Sequence, residues 1–226
     1  EKYTIIDHAL IPHFAVLDPE LTLGLPAPIT AATGMDALTH AVEAYIGGSN
    51  TAGTEAAAIA AVRFVIQNLL KVYRNPSDLE GRAILLKAAY LGGKAFTRAY
   101  VGNIHAMAHT LGGFYGTPHG LANAVIMPYV LDYYGHTVER RLARLAEAAG
   151  LYPQLQGSHL IAQRFIEDIK QLNQDLQIPL HIQEIQDTDI PLMAERAFTE
   201  ANPLYPVPMI LSKQQFEDLY RIIRGL

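Results

Sequence analysis

The chain has 226 residues, half of them apolar and 17% charged, with a formal net charge of −5. That balance describes a globular protein able to bury a substantial core and excludes an intrinsically disordered one. With no basic cluster, neither nucleic acid nor an anionic membrane is an expected partner.

The absence of cysteine excludes disulfides and thiolate metal sites and fits a cytoplasmic protein. Nothing approaches a run of about eighteen apolar residues, so no spanning helix is predicted. The chain opens on Glu1-Lys2-Tyr3 with no initiator methionine and no leader, and the expectation is a chain cut from something longer. Two short strands are predicted first, at Tyr3–Ile6 and Phe14–Leu17, each ending on an aspartate (Asp7, Asp18).

After Leu21 the texture turns to alanine, leucine and helical spacing. Helices are predicted from Pro28 to Ala44, from Thr51 to Tyr73, and from Asp78 as cap to Ala99. Asn103–Phe114 follows, closed by Gly112-Gly113, and Thr117 is expected to cap the next helix with Pro118 in first position. Others are expected at His136–Ala149, Ser158–Leu176, Asp189–Ala197 and Ser212–Ile223. The fold class is mainly α: a multi-helix bundle with two leftover strands, which lack partners and would be marginal alone.

Two clusters carry chemistry. Asp36 and His40 are four apart on one helix, so their side chains share a face. Asp36 as a first-turn acid and His40 as a core histidine are the plain alternatives. Glu43, one turn on, reads as an acceptor behind a ligand or as a solvated acid. His105 and His109 repeat the spacing, separated by small apolar residues that mark a buried helix, where unpartnered imidazoles would be costly. His119 follows a glycine-rich turn in which Gly116 and Gly120 let backbone come close to something. One carboxylate and four imidazoles thus form a candidate site for Fe(II), Zn(II), Co(II) or Ni(II), not calcium or magnesium. His8, His13, His136, His159 and His181 read as incidental surface residues.

Three stretches resemble the iron-containing (group III) alcohol dehydrogenase family: Leu17–Leu21, Gly34–His40 with Glu43-Ala44-Tyr45 behind it, and His105–His109 leading to Pro118–Ala124. The resemblance covers essentially the whole chain. It implies that Asp36, His40, His105 and His119 are the metal ligands, with Fe(II), or alternatively Zn(II), as the ion. It implies that His109 approaches nicotinamide and substrate without ligating. Phe96 falls where the family often places a bulky substrate-pocket residue, and Lys2 matches a lysine that reaches the cofactor. The family's α/β nucleotide-binding half has no counterpart, since no glycine-rich turn follows a strand and opens a helix. Residues 1–22 then read as the remnant of that half and residues 23–226 as the helical metal-binding domain.

For the complete enzyme the resemblance implies interconversion of a primary alcohol or diol with its aldehyde. Hydride would pass to NAD or NADP, and the ion would act as a Lewis acid on the substrate oxygen. The chain alone is expected to be inactive, the parent a homo-oligomer and its partner a small alcohol or aldehyde. A metal-dependent phosphohydrolase is a rival, but it needs an adjacent His-Asp pair and only the reversed Asp7-His8 is present. A related fold that performs a zinc-dependent cyclisation uses a glutamate where Asp36 stands. A non-catalytic metal-binding or oligomerisation module is the rival from another class.

Overall fold

The computed structural model describes residues 7–225. Its α-helices are α1 (Ala27–Ile46), α2 (Ala52–Arg74), α3 (Leu79–Ala99), α4 (Asn103–Tyr115), α5 (His119–Tyr134), α6 (His136–Ala148), α7 (Ser158–Asp175), α8 (Ile190–Ala201) and α9 (Lys213–Arg224). The mainly α expectation holds, but among the described residues there is no strand. Tyr3–Ile6 and Lys2 lie outside the described residues. Phe14–Leu17 forms no ladder, and Phe14 and Val16 are 89% and 90% exposed. A strand needs a neighbour to take its backbone donors and acceptors, and among the described residues this segment has none. The two aspartates do something else. Asp7 accepts the N–H of Ala9 at 2.8 Å and Asp18 that of Glu20 at 3.0 Å, each capping a single 3-10 turn.

Three helix starts follow directly from local chemistry. Thr51 and Thr54 form a reciprocal cap on α2, Asp78 accepts the N–H of Gly81 on α3, and Ser212 pairs with Gln215 on α9. Two expectations fail between α4 and α5. Gly112-Gly113 lies inside α4, which runs on until Gly116 takes a left-handed φ of 67°. Thr117 caps nothing: α5 begins at His119 after Pro118 and has no side-chain cap.

Helix α1 is the centre of the molecule. Thirteen of its twenty residues are buried, so it has almost no solvent face, and α2, α3, α5 and α6 all pack on it. Helix α2 is long and apolar enough by length and composition to cross a membrane. Here its Ala57, Ala58, Ala61, Val62 and Val65 are buried with α1 and α3 as neighbours, and Arg63 reaches the carbonyls of Ala148 and Ala149 at the end of α6.

Contact between α1 and α5 depends on one glycine. A Cβ at Gly120 would lie 2.4 Å from the carbonyl oxygen of Ala32 and 3.3 Å from the Asp36 Cβ. The first obstacle is backbone and cannot swing away. Gly120 therefore sets how near the first turn of α5 comes to the Asp36 turn of α1. Gly120→Ala is expected to push the helices apart and lower stability by about 1–3 kcal/mol, the usual range for overpacking. Urea unfolding measures it, and an unchanged midpoint would refute the close-contact argument.

Candidate metal centre

Three helices meet at the site. Helix α1 brings Asp36, His40 and Glu43 along one face, α4 brings His105 and His109, and α5 brings His119 and, one turn on, Asn123. One ligand atom from each of Asp36, His40, His105 and His119 falls in a set whose members all lie within 4.8 Å of one another. Asp36 Oδ1 is the hub, 3.7 Å from His105 Nε2 and 3.6 Å from His119 Nε2. His40 Nδ1 is 3.9 Å from Asp36 Oδ2. These separations exceed hydrogen-bond range. They are close to the edge of a tetrahedron with metal–ligand bonds of about 2.1 Å, which is roughly 3.4 Å.

His105 decides between a metal site and a merely polar core. It is buried, and its Nδ1 lies 2.6 Å from Glu43 Oε2, a carboxylate that already accepts two backbone N–H groups and so takes the ring N–H as a third. Its Nε2, on the side of Asp36, has no hydrogen-bond partner. A buried polar nitrogen without a partner costs about 1–3 kcal/mol. A lone pair held there by a carboxylate on the far side of the ring is how proteins aim a histidine at a metal. Three imidazoles and one carboxylate suit a borderline divalent ion, and the residues fit one.

The electrostatics fit the same arrangement. Burial pushes the Asp36 carboxyl up, but the surrounding imidazoles, His105 first, outweigh it and hold the group well below the usual carboxylate range. Burial and the neighbouring His105 push His40 down to about 3, so it is neutral and its lone pair is free. Burial also pushes His105 down, but Asp36 and Glu43 on its two sides outweigh that and bring it up to about 9. The two carboxylates therefore favour positive charge at His105, on the side where a cation would sit.

The remaining expected residues occupy distinct places. His109 stacks on His119 with ring centroids 5.1 Å apart, yet its Nδ1 turns away to Glu200 Oε1 at 2.5 Å, and Tyr205 donates to the same oxygen at 2.7 Å. It stands beside the four-residue set, not in it. Phe96 stacks on His40 at 4.3 Å and 20°, on the face opposite His105, which stacks at 4.5 Å. Glu43 is no solvated acid: it is buried, and it also accepts the N–H groups of Gly102 at 3.0 Å and Ile104 at 2.8 Å. Sequence reasoning missed Asn123, which donates to Asp36 Oδ1 at 2.6 Å, although its spacing of four from His119 was a usable signal. It also missed Glu200 and Tyr205, which carry no local signal.

Residues 30–223 match the sequence model of the Fe-containing alcohol dehydrogenase family, C-terminal part. This chain belongs to that family. It is 39% identical to a 1,3-propanediol dehydrogenase of Citrobacter freundii over 222 residues, which is 97% of this chain and 57% of the relative. It is 36% identical to an NAD-dependent methanol dehydrogenase of Bacillus methanolicus, over 89% of this chain and 55% of that one. A crystal structure of a 1,3-propanediol oxidoreductase superposes with a TM-score of 0.86 at 40% identity, covering 91% of this chain and 54% of the other. The chain thus spans little more than half the length of these family members.

Glu43 provides the sharpest test of the centre. Glu43→Gln keeps the shape but removes the charge behind His105, and the expected result is a 10- to 100-fold loss of metal affinity, about the range for such supporting groups. Isothermal titration with Zn(II) reads it, with circular dichroism checking that the helices persist. Full affinity in the variant would show that the carboxylate does not support the centre.

Proposed function

We propose that this chain is the metal-binding half of an NAD(P)-dependent oxidoreductase that interconverts a primary alcohol or diol with its aldehyde. The observation that carries the reading is the buried His105 Nε2, held without a partner by Glu43 and aimed at the hub oxygen of Asp36. Asp36, His40, His105 and His119 are the ligands, and Fe(II) is the expected ion by family, with Zn(II) chemically compatible. The ion, when bound, supplies Lewis acidity toward the oxygen of the alcohol or aldehyde.

The protein's own groups do the rest. Phe96 and His105 sandwich the His40 ring and restrain its plane. Glu200 holds the proton on His109 Nδ1, which leaves Nε2 as the basic nitrogen beside His119. As the alcohol is oxidised its hydroxyl proton must leave, and His109 Nε2 takes it while Glu200 stabilises the imidazolium. In the reverse direction the same nitrogen returns the proton. NAD or NADP, when bound, is the hydride partner. A cytoplasmic setting, a homo-oligomeric parent and a small alcohol or aldehyde as the sole substrate class belong to this reading.

The test joins this chain to the nucleotide-binding half of the Citrobacter relative and follows nicotinamide reduction with ethanol, butanol and 1,3-propanediol. Alcohol-dependent reduction that vanishes in Asp36→Ala/His119→Ala supports the reading, and equal rates with and without that pair of changes would sink it. In the same fusion, His109→Ala should retain its tightly held metal while turnover falls by about 10²–10⁴, the usual worth of a positioned acid–base group. Loss of the metal on that substitution would make His109 a ligand instead. The chain on its own should reduce neither NAD nor NADP, because orienting the hydride partner is where much of the rate comes from. A clear alcohol-dependent rise in reduced nicotinamide with this chain alone would overturn that expectation.

A further inference from the structure

A second group of ligand-type side chains converges at the starts of α6 and α7, outside the centre. His136 opens α6, Glu139 sits one turn later on the same face, and His159 is the second residue of α7. Glu139 Oε1 is the meeting point, 2.9 Å from His136 Nδ1 and 2.7 Å from His159 Nδ1. The two rings are 5.9 Å apart at 32°, and one donor atom from each of the three residues lies within 4.8 Å of the others. Both imidazoles present the same nitrogen to the same oxygen, although they come from different helices.

We propose that His136, Glu139 and His159 form a second, peripheral site for a borderline divalent cation of the Zn(II), Ni(II), Co(II) or Cu(II) class. Two imidazole nitrogens and one carboxylate oxygen select these ions over calcium and magnesium, which favour all-oxygen shells. Geometry supports the assignment. With bonds of about 2.1 Å, ligand atoms around one ion sit roughly 3.0–3.4 Å apart. The observed nitrogen–oxygen separations need to open by only about half an ångström to admit it. The imidazoles can give that much, because His136 and His159 side chains are 90% and 53% exposed and anchor no core packing. The exposed side leaves room for water to complete the shell. Glu139 is held below its usual carboxylate range by the hydrogen bonds from His136 and His159, so it offers a charged oxygen at neutral pH.

A bound ion would link the first turns of α6 and α7 across the intervening segment 149–157. With three protein ligands and full solvent access, the site is weaker than the four-ligand centre. It does not depend on the proposed catalytic reading, since it shares no residue with the centre.

Calorimetric titration of this chain with zinc chloride at neutral pH tests it. Two events are expected, one tight and one weaker, each of one ion per chain. His136→Ala/His159→Ala should remove only the weaker event and leave the helical circular dichroism unchanged. His159→Ala alone should weaken that event by roughly tenfold or more. Asp36→Ala/His119→Ala should remove only the tight event, so failure at the centre and failure at the peripheral site are told apart. Copper(II) added to the Asp36→Ala/His119→Ala variant should show hyperfine coupling to two nitrogens by electron paramagnetic resonance. A weaker event that survives His136→Ala/His159→Ala, or a wild-type chain that takes up only the tight ion, overturns the proposal.

Discussion

Glu43 sits where α1 meets the start of α4, and its carboxylate accepts from Gly102 N–H, Ile104 N–H and His105 Nδ1 at once. The first two donors belong to the cap and first turn of α4, which has no side-chain cap of its own. An anion placed there satisfies free backbone donors and complements the helix dipole. The third donor is the ring that faces Asp36. One buried charge therefore docks a helix and fixes the direction of the His105 ring. Burying a carboxylate is expensive unless its oxygens are fully used, and here they accept three hydrogen bonds.

The same economy runs through the rest of the site. Gly120 lets α5 touch the backbone of α1, and that contact brings His119 within reach of Asp36 Oδ1. Asn123, one turn along, then donates to the same oxygen. On the other side, α8 packs on α4 and carries Glu200 to His109. Each side chain at the centre has a partner on another helix, so the geometry is a product of helix packing and not of any one segment. That is the kind of support a site needs if its groups are to stay within fractions of an ångström of a working arrangement.

What could be read in the sequence was whatever repeats within one helix. Asp36 and His40, His105 and His109 announce themselves by a spacing of four, and the cap at Asp78 by its residue type, while Thr51 and Ser212, expected as first helical residues, are caps instead. Glu43 could be noticed, but whether it was buried or solvated depends on α4, some sixty residues away. Glu200 was invisible for the same reason: its meaning lies in a contact with His109 about ninety residues earlier, and Tyr205 joins the site only through Glu200. The errors were local signals overruled. Phe14–Leu17 has the composition of a strand but no partner to pair with, and Gly112-Gly113 looks like a stop but is carried through by burial of α4 beside it. In sequence only the family resemblance set His109 apart from the other four; in the structure its Nδ1 turns to Glu200.

An ion held at the centre would couple stability to occupancy. Asp36, His40, His105 and His119 place three imidazoles around one carboxylate inside a helical core, with His105 Nε2 left without a partner. Absent an ion, the folded chain carries that desolvation cost, relieved in part by the proton that Asp36 and Glu43 hold on His105. An ion that displaces this proton restores a full set of bonds to groups already aligned by packing, so little ordering remains to be done on binding. The unfolded chain, with its ligands spread over more than eighty residues, offers no comparable site. Binding energy at the centre would therefore be folding energy as well. The groups that make the α1–α4–α5 junction costly when bare are the ones that would lock it when filled, and α1, which carries Asp36 and His40, is the helix on which α2, α3, α5 and α6 pack.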